Sequence, residues 1–201
     1  MSQQFWNDRY HQYDLAYGEK PNAFLVEASS RYLTAGQRVL CAGEGEGRNA
    51  FWLVKKGLEV WAVDYSSVGL KKAKRQAEKL GFKINFICID LTQWKWPVEF
   101  FDALVIIFLH FSPQWRQSIH RSMIGSLKKN GLIILQCFHI HQLNYSSGGP
   151  RNADHLYTLE MIRDDFSSMK FLHTQEGQVE LQEGIFHDGQ AAVVSAVIQK
   201  V

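Results

Sequence analysis

The chain has 201 residues, enough for one domain with a single hydrophobic core, and its 22 Lys and Arg residues nearly balance its 20 Asp and Glu residues. The formal net charge of +2 favours neither a nucleic-acid groove nor a membrane surface, so we expect a small-molecule partner and leave the oligomeric state open. Because the first residues lack the apolar stretch of a signal peptide and no apolar run is long enough to span a bilayer, we expect a cytoplasmic protein.

Residues 1–35 are predicted to form a helical cap on a Rossmann-like core of residues 36–201, and the two together make a single domain. A helix is expected to begin at Pro21, because proline suits the first helical position. The aromatic residues of the cap have two interpretations, a lid that closes over bound ligands or an amphipathic helix that completes the core. We expect Phe5 to belong to the core and Tyr17, which lies in a loop, to belong to the lid.

Five apolar runs of strand length follow the cap. Such runs are typical of strands that are buried on both faces of a parallel sheet. They cover residues 38–43, 59–64, 84–90, 102–109 and 132–138. Each of the three cysteines lies in one of these runs without metal-like spacing, so we expect reduced core thiols at Cys41, Cys88 and Cys137.

Two helices are predicted between these strands. Ser66 can cap the first, which runs to Leu80 with one apolar and one cationic face before Gly81 ends it. The second runs from Pro113 to Leu127, and the segment KKNG that follows is expected to supply its cationic last turn and its glycine stop. Strands that alternate with helices in this way indicate a doubly wound α/β sheet.

The pattern changes after the fifth apolar run. Residues 144–158 are rich in turn formers and are either a mobile substrate loop or a plain connection. One more helix, marked by Ile162, precedes strand candidates at residues 170–183 and 190–200, which the segment EGIFHDG joins. These two strands are expected to pair antiparallel at one sheet edge. The predicted fold is therefore α/β, with a Rossmann-like, seven-stranded, mostly parallel sheet that carries helices on both faces.

A glycine-rich loop with Gly43, Gly45 and Gly47 follows the first predicted strand and precedes a helix. The dinucleotide-binding pattern has a glycine at the sixth position, where this chain has Arg48. Asp64 ends the next strand, about 20 residues after the first glycine, where an acidic residue can accept hydrogen bonds from both hydroxyls of an adenosine ribose. The loop thus indicates a ligand that contains adenosine.

Two glutamates in the loop, Glu44 and Glu46, bear on the class of ligand. Unit charges about 4 Å apart interact by roughly 4 kcal/mol at an effective dielectric constant of about 20, so these carboxylates would repel a pyrophosphate unless they pointed away. S-Adenosylmethionine suits the loop better, because it offers adenosine to Asp64, a sulfonium and an ammonium to the glutamates, and one carboxylate to the helix N-terminus. The alternatives are a nicotinamide-dependent oxidoreductase and a module that binds the cofactor without turnover.

Several segments together resemble one known family. FWNDRY and YGEKPNAFL precede the first strand, VLCAGEGEGRNA holds the glycine loop, VWAVDYS contains the second strand, and DGQAAVV lies near the end of the chain. Over nearly its whole length the sequence resembles the class I S-adenosylmethionine-dependent methyltransferases, and among them the small bacterial group related to the tellurite-resistance methyltransferase TehB. The resemblance implies methyl transfer from S-adenosylmethionine to a small-molecule acceptor, such as a thiol or a chalcogen oxyanion.

The resemblance also implies roles for individual residues. The three loop glycines would let the backbone approach the methionine part of the cofactor, and Asp64 would bind the ribose. The adenine would be contacted by Tyr65, Asp90 and Leu91, and the space beside the methyl group would be lined by residues 108–110, from Phe108 to His110. Similar proteins carry an acidic residue two positions before the first glycine, where this chain has Cys41. We therefore hypothesise that Glu44 or Glu46 contacts the ammonium of the cofactor.

The acceptor side of the predicted site involves later strand ends and the cap. His110 is the candidate catalytic residue, and its alternative is a histidine bonded locally in a turn. His139 and His141 form an H-x-H pair, which we interpret as polarity at the pocket rim and not as a metal site, because no further ligand has recognisable spacing. Arg9 is a candidate for pairing with an anionic acceptor or with the cofactor carboxylate, and Tyr17 is its neighbour on the substrate side.

Overall fold

The computed structural model describes residues 2–201 and contains one seven-stranded sheet. Its strands are β1 (Arg38–Ala42), β2 (Glu59–Asp64), β3 (Ile84–Cys88), β4 (Phe101–Ile107), β5 (Leu127–Phe138), β6 (Lys170–Gln182) and β7 (Asp188–Gln199). Their spatial order is β3-β2-β1-β4-β5-β7-β6. Strands β1 to β5 pair in parallel, whereas β7 pairs antiparallel with both β5 and β6. The predicted Rossmann-like sheet with an antiparallel pair at one edge is confirmed.

Helices cover both faces of the sheet. They are α1 (Gln3–Gln12), α2 (Ala23–Tyr32), α3 (Arg48–Lys55), α4 (Ser67–Leu80), α5 (Pro113–Ser126) and α6 (Leu159–Asp165), with short 3₁₀ turns at Ile140–Asn144 and Ala153–His155. Leu25 of α2 and Leu53 of α3 belong to one buried hydrophobic cluster. Met123 of α5 and Ile162 of α6 belong to a second cluster, formed by the opposite side chains of the same strands. The core is thus divided by the sheet, as in other doubly wound folds.

The helix boundaries follow local capping chemistry. Ser66 accepts a hydrogen bond from the Gly69 amide at 3.1 Å to begin α4, and Gly81 ends that helix with a left-handed φ of 69°, as predicted. The prediction for α2 is wrong, because Asn22 caps it by accepting from the Leu25 amide at 3.0 Å, which leaves Pro21 outside the helix. An amide side chain that satisfies a helix-end donor therefore decides this boundary.

The predicted cationic last turn of α5 is also wrong. The helix ends at Ser126, and residues 128–131 belong to the first part of β5. The Asn130 amide donates to the Lys200 carbonyl at 3.0 Å, and the Lys200 amide donates to the Gly131 carbonyl at 2.9 Å. Strand-type hydrogen bonds to Lys200, directly after β7, thus replace the last helical turn. The sequence of residues 113–131 alone could not predict this, because Lys200 is far away in the chain.

Strand β3 departs from the expectation of full burial. It lies at the edge of the sheet and pairs only with β2, so its residues are half-buried or exposed. Cys88 in this strand is exposed, whereas Cys41 and Cys137 in central strands are buried. The prediction of three core thiols is therefore correct for two cysteines and wrong for Cys88. No helix within residues 2–201 combines the length and the apolar character that crossing a membrane requires.

Candidate functional site

A cavity of about 680 Å³ opens where the carboxyl ends of β1, β2 and β4 meet beneath the cap. Open α/β sheets bind their ligands at this edge. Most of the residues singled out in the sequence line it: Arg9, Tyr17, Gly43, Glu44, Glu46, Asp64, Tyr65, Asp90, Leu91, Phe108 and His110. Three others, Gly45, Gly47 and His139, are not among the lining residues.

The glycine loop is compact because all three glycines adopt a left-handed backbone, with φ values of 60° to 95°. A Cβ on Gly45 would collide with the hydroxyl of Tyr10, and a Cβ on Gly47 would press on the ring of Phe51. These two glycines therefore make room for side chains of the protein itself. The resemblance had implied that they let the backbone approach the methionine part of the cofactor. Gly43 alone of the three lines the cavity.

The amino-terminal end of α3 is occupied by a carboxylate of the chain itself. Glu44 Oε1 accepts hydrogen bonds from the amides of Asn49 at 2.9 Å and Ala50 at 2.8 Å. Helix N-termini bind anions through such amides, so two of the donors at this end of α3 are already bonded. This arrangement disfavours a pyrophosphate at this position, and the cofactor carboxylate expected there stays a prediction.

Glu44 also adjoins Cys41. Burial raises the pKa of Glu44 to about 7, although the hydrogen bonds from Ala50 and Asn49 oppose this shift. Burial and the adjoining Glu44 raise the pKa of the Cys41 thiol. The Glu44 carboxylate also lines the cavity.

Glu46 has a different partner from Glu44. Its two carboxylate oxygens accept the amides of Leu15 at 3.0 Å and Ala16 at 2.8 Å, and Lys72 Nζ lies 3.4 Å from Oε1. Both oxygens therefore hold the cap segment that follows α1. Of the two glutamates proposed for the ammonium contact, Glu46 is engaged with the protein itself, and Glu44 has one oxygen, Oε2, without such a bond.

Asp64 ends β2 at the cavity wall. Its Oδ2 accepts the Gly45 amide at 2.8 Å and its Oδ1 accepts the Ser66 amide at 2.7 Å, which fixes the carboxylate. Burial raises its pKa despite these hydrogen bonds. Each carboxylate oxygen can accept a second hydrogen bond, so the side chain can still bind a pair of hydroxyls. Tyr65 follows directly and also borders the cavity.

Asp90 and Leu91 follow β3 and border the same end of the cavity. Asp90 Oδ1 accepts the Thr92 amide at 2.8 Å, which turns the chain after the strand. Leu91 is buried and presents an apolar side chain to the cavity. Together these residues present one carboxylate and one apolar side chain to the cavity.

His110 lies at the cavity wall but has no free nitrogen. Its Nδ1–H donates to the His155 carbonyl at 2.8 Å, and its Nε2 accepts the Phe138 amide at 3.2 Å. Burial lowers its pKa to about 4, so the ring is neutral at pH 7. The ring is thus fully bonded, but not locally as the alternative expected, because His155 lies 45 and Phe138 lies 28 positions away in sequence. These bonds leave His110 no nitrogen with which to accept a proton from a ligand.

His139 lies away from the cavity. Its Nδ1 accepts the His141 amide at 3.1 Å, and its Nε2 lies 3.6 Å from Glu176 on β6. The expected position at the pocket rim is therefore wrong, because the chain turns into a 3₁₀ segment directly after β5 and carries this ring beneath β6. Within residues 2–201, no three His, Cys, Asp or Glu side chains come together as metal ligands.

The cap contributes aromatic residues in a different way from that predicted. Tyr10 is buried against the glycine loop, whereas Phe5 is 37% exposed at the cavity mouth, so the assignment of Phe5 to the core is wrong. Tyr17 lines the cavity, and Arg9 donates from Nη1 to its hydroxyl at 2.8 Å. The Arg9 guanidinium also lies 4.3 Å from the ring centroid of Phe186.

Sequence reasoning missed two residues in the connection between β6 and β7. His187 lines the cavity, and Glu183 binds the Arg48 guanidinium, with an oxygen–nitrogen distance of 2.6 Å, beside it. The segment EGIFHDG was interpreted only as a turn. The sequence feature that could have indicated a functional role is the presence of Glu183, Phe186 and His187 in this connection, because a plain turn needs only glycine and polar residues.

The cavity fits S-adenosylmethionine. The Asp64 carboxylate suits ribose hydroxyls, the free oxygen of Glu44 suits a cation, and Leu91 suits an adenine ring. The two amides that begin α3 are taken by Glu44, which removes the usual place for a phosphate. These residues would therefore suit a cationic compound that contains adenosine.

Comparison with known proteins agrees with this geometry. A family model described as a methyltransferase domain matches residues 39–131. The chain is similar to a protein-L-isoaspartate O-methyltransferase from Gloeobacter violaceus, with 31% identity over 114 residues that cover 56% of this chain and 52% of that protein. A protein with the same description from Cytophaga hutchinsonii is 30% identical over 35% of this chain and 32% of that protein. The matches thus span 52% and 32% of the length of these two curated relatives.

Two solved structures share the fold of this chain. One is a SAM-dependent methyltransferase from Methanosarcina mazei, with a TM-score of 0.70 and 17% identity, covering 86% of this chain and 96% of that chain. The other is TehB from Haemophilus influenzae, with a TM-score of 0.72 and 17% identity, covering 90% of this chain and 62% of that chain. Residues 39–131 thus match a methyltransferase domain, and the chain shares the fold of these two structures.

Proposed function

We propose that this protein transfers the methyl group of S-adenosylmethionine to a small-molecule acceptor. The observation that carries the proposal is the position of Glu44, whose carboxylate fills the N-terminus of α3 inside the cavity. A pyrophosphate would meet this carboxylate and that of Asp64, whereas a sulfonium compound with an ammonium group meets opposite charges. This difference favours a methyl donor over a nicotinamide cofactor.

Four side chains are assigned to the cofactor in this proposal. Asp64 binds the ribose hydroxyls, Tyr65 and Leu91 enclose the adenine, and Glu44 binds the ammonium through its free oxygen. When bound, the cofactor supplies a methyl group on a sulfonium, which is already an excellent leaving group. The protein then has to align the acceptor and exclude water, and correct alignment can contribute roughly 7 to 11 kcal/mol to the lowering of the barrier.

The acceptor side of the cavity supports a small molecule. Aromatic rings border it, including Phe108, Phe138 and Trp115, and Arg9 and Arg151 add positive charge. A thiol or a chalcogen oxyanion, as the resemblance to the TehB group implies, suits such a lining. An isoaspartyl carboxylate, the acceptor named for the curated relatives, is the second candidate because arginines can bind carboxylates. A cytoplasmic location and a single domain stay predictions from the sequence.

Ligand binding tests the proposal directly. S-Adenosylmethionine or S-adenosylhomocysteine at a hundred times its Kd should raise the free energy of unfolding by about 2.7 kcal/mol, and NADH should not. Asp64→Asn should weaken the calorimetric affinity for S-adenosylhomocysteine at least tenfold. Asp154→Asn, an exposed aspartate outside the cavity, is the matched control and should bind normally.

Stabilisation by NADH alone would overturn the proposal. Release of S-adenosylhomocysteine with an added thiol, tellurite or isoaspartyl peptide separates an enzyme from a module that only holds the cofactor. The acceptor that gives the highest kcat/KM then identifies the substrate class.

A further inference from the structure

His187 is buried beside the cavity without satisfying one of its ring nitrogens. The ring packs on Tyr17, Phe108 and Phe138, with centroid distances of 4.6, 4.7 and 5.2 Å. Within residues 2–201, its buried Nδ1 has no hydrogen-bond partner, and the Glu183 carboxylate is 3.7 Å away. Buried polar atoms of this kind are rare and call for a physical explanation.

Glu183 is held in place from its other side. Its Oε2 accepts from Arg48 at 2.6 Å, and its Oε1 accepts from the Asn22 amide group at 2.9 Å. The same Asn22 group donates to Gln136 at 2.7 Å, which connects the carboxylate to the centre of the sheet. Glu183 therefore cannot turn away from His187, and a small movement of the ring would complete the hydrogen bond. Such bonds are often long before a ligand binds.

Three histidines border the cavity, and they differ in what they can do. His110 uses both nitrogens in hydrogen bonds to the backbone. In residues 2–201, His187 is the only one of these three histidines that lies within 4 Å of a carboxylate oxygen. A carboxylate beside Nδ1 favours the tautomer that carries the proton there, which leaves Nε2 with a free lone pair.

We propose that His187, oriented by Glu183, removes the proton from an acceptor that enters the cavity as a neutral thiol or phenol. The inference rests on the proposed methyl transfer and names the acceptor class for it. As the acceptor's proton passes to Nε2 of His187, its sulfur or oxygen lone pair forms the bond to the methyl carbon. The carbon–sulfonium bond breaks with its electron pair going to sulfur, which leaves S-adenosylhomocysteine, and His187 later releases the proton to water.

The charges around His187 are compatible with a base at neutral pH. Glu183 faces it from the same connection, Arg48 from α3, Arg9 and Tyr17 from the cap. Burial lowers its pKa below the usual value, while Glu183 opposes that shift and the two arginines add to it. His187 is therefore neutral at pH 7 and able to accept a proton.

The first test needs no turnover. In ¹⁵N-histidine NMR spectra with saturating S-adenosylhomocysteine, we expect a neutral His187 ring with the proton on Nδ1. Glu183→Gln should abolish this tautomer preference, because the neutral amide lacks the charge that favours a proton on Nδ1 and can itself donate a hydrogen bond to that nitrogen. His187→Gln assigns the signal, and His141→Gln, an exposed histidine outside the cavity, is the matched control. A proton on Nε2 in the wild-type protein would overturn the proposal.

The second test measures S-adenosylhomocysteine released with para-substituted phenols and thiophenols. His187→Gln should lower kcat at least a hundredfold for the least acidic compounds and progressively less for the more acidic ones, which ionise without help. An equal loss across the series, or no loss, contradicts the role of a base. If no compound in the series is methylated, the NMR measurement of the His187 tautomer alone supports or contradicts the proposal.

Binding separates this inference from the proposed function. His187→Gln and His187→Asn should bind S-adenosylhomocysteine within twofold of the wild type and unfold at similar temperatures, which excludes loss of fold as the cause. A wild-type protein that does not bind S-adenosylhomocysteine refutes the methyl-transfer proposal itself. Normal binding together with an Nε2-protonated ring refutes only the role of His187.

Discussion

The Glu46 carboxylate accepts the Ala16 amide at 2.8 Å, so a residue of the cofactor loop directly holds the cap. The neighbouring oxygen accepts the Leu15 amide at 3.0 Å. Hydrogen bonds to a charged acceptor contribute about 1.5 to 3 kcal/mol, more than those to a neutral one. The position of the cap is therefore coupled to the loop that carries the candidate ammonium site.

Glu46→Gln should loosen the cap without unfolding the domain. A neutral amide can accept one of the two backbone hydrogen bonds but loses the charge that strengthens both. We expect the amides of Leu15 and Ala16 to exchange with deuterium about ten times faster, measured by mass spectrometry or NMR. Glu78→Gln on the exposed face of α4 is the control. Unchanged protection at both amides would show that the aromatic contacts hold the cap alone.

Glu44 should make stability depend on pH in a recognisable direction. Its pKa is raised from 4.5 to about 7 in the folded protein, so folding favours the protonated form. The stabilisation is complete below the unfolded pKa and is lost as the pH rises through about 7, by an amount on the order of 3 kcal/mol. Denaturant unfolding at pH 5 and pH 8 measures the difference, and Glu44→Gln should reduce it. An equal pH dependence in the variant would contradict this assignment.

The same carboxylate should make cofactor affinity pH-dependent in the opposite direction. A bound ammonium favours the ionised form of Glu44, so S-adenosylmethionine should bind more tightly at pH 8 than at pH 6. Calorimetry across this range, in buffers of different ionisation enthalpy, should detect proton release on binding. Glu44→Gln should bind more weakly and without that proton release. Equal affinities at the two pH values would leave Glu44 outside the cofactor site.

A buried charge cluster joins α5 to α6 and should control global stability. Asp165 accepts from Arg116 and from His120, each at 2.8 Å, and its side chain is fully buried. Asp165→Asn leaves the arginine without a counter-charge and should cost about 3 to 5 kcal/mol in the free energy of unfolding, measured with urea. Asp164→Asn, the exposed neighbour, should cost less than about 0.5 kcal/mol. Similar losses in the two variants would mean that the cluster is not a source of stability.

Thiol reactivity should distinguish the three cysteines. Cys88 is exposed on the edge strand, and Cys41 and Cys137 are buried, where burial raises the pKa of both thiols. A disulfide reagent should therefore label one thiol in the native protein and three in denaturant. Cys88→Ser should remove the native reaction. Rapid labelling of Cys41 in that variant would show that β1 opens readily.

The positions of the site residues at the ends of the parallel strands can be predicted from the sequence. Gly43, Asp64 and Asp90 each end an apolar run, and the carboxyl ends of parallel strands meet at the same sheet edge. Their positions therefore follow from strand order alone. The contact of Glu44 with the amides of α3, by contrast, depends on a turn whose geometry the sequence pattern does not specify.

The remaining part depends on contacts between distant segments. Glu183 binds Arg48 across 135 positions in sequence, and His187 reaches the cavity only because the β6–β7 hairpin folds back over the cap. Periodicity describes each strand but not where its connecting loop lies. The same reason explains His139, since a strand-end histidine can point to either side of the sheet and only packing beneath β6 decides the direction.

The self-capped end of α3 has a consequence for cofactor engineering. Glu44 acts as a tethered competitor for any anion that approaches the Asn49 and Ala50 amides. Shortening this single side chain would release both donors toward the cavity and create a cradle suited to phosphate. The competition with anions at these amides is thus an intramolecular property of the resting protein, present before any ligand arrives.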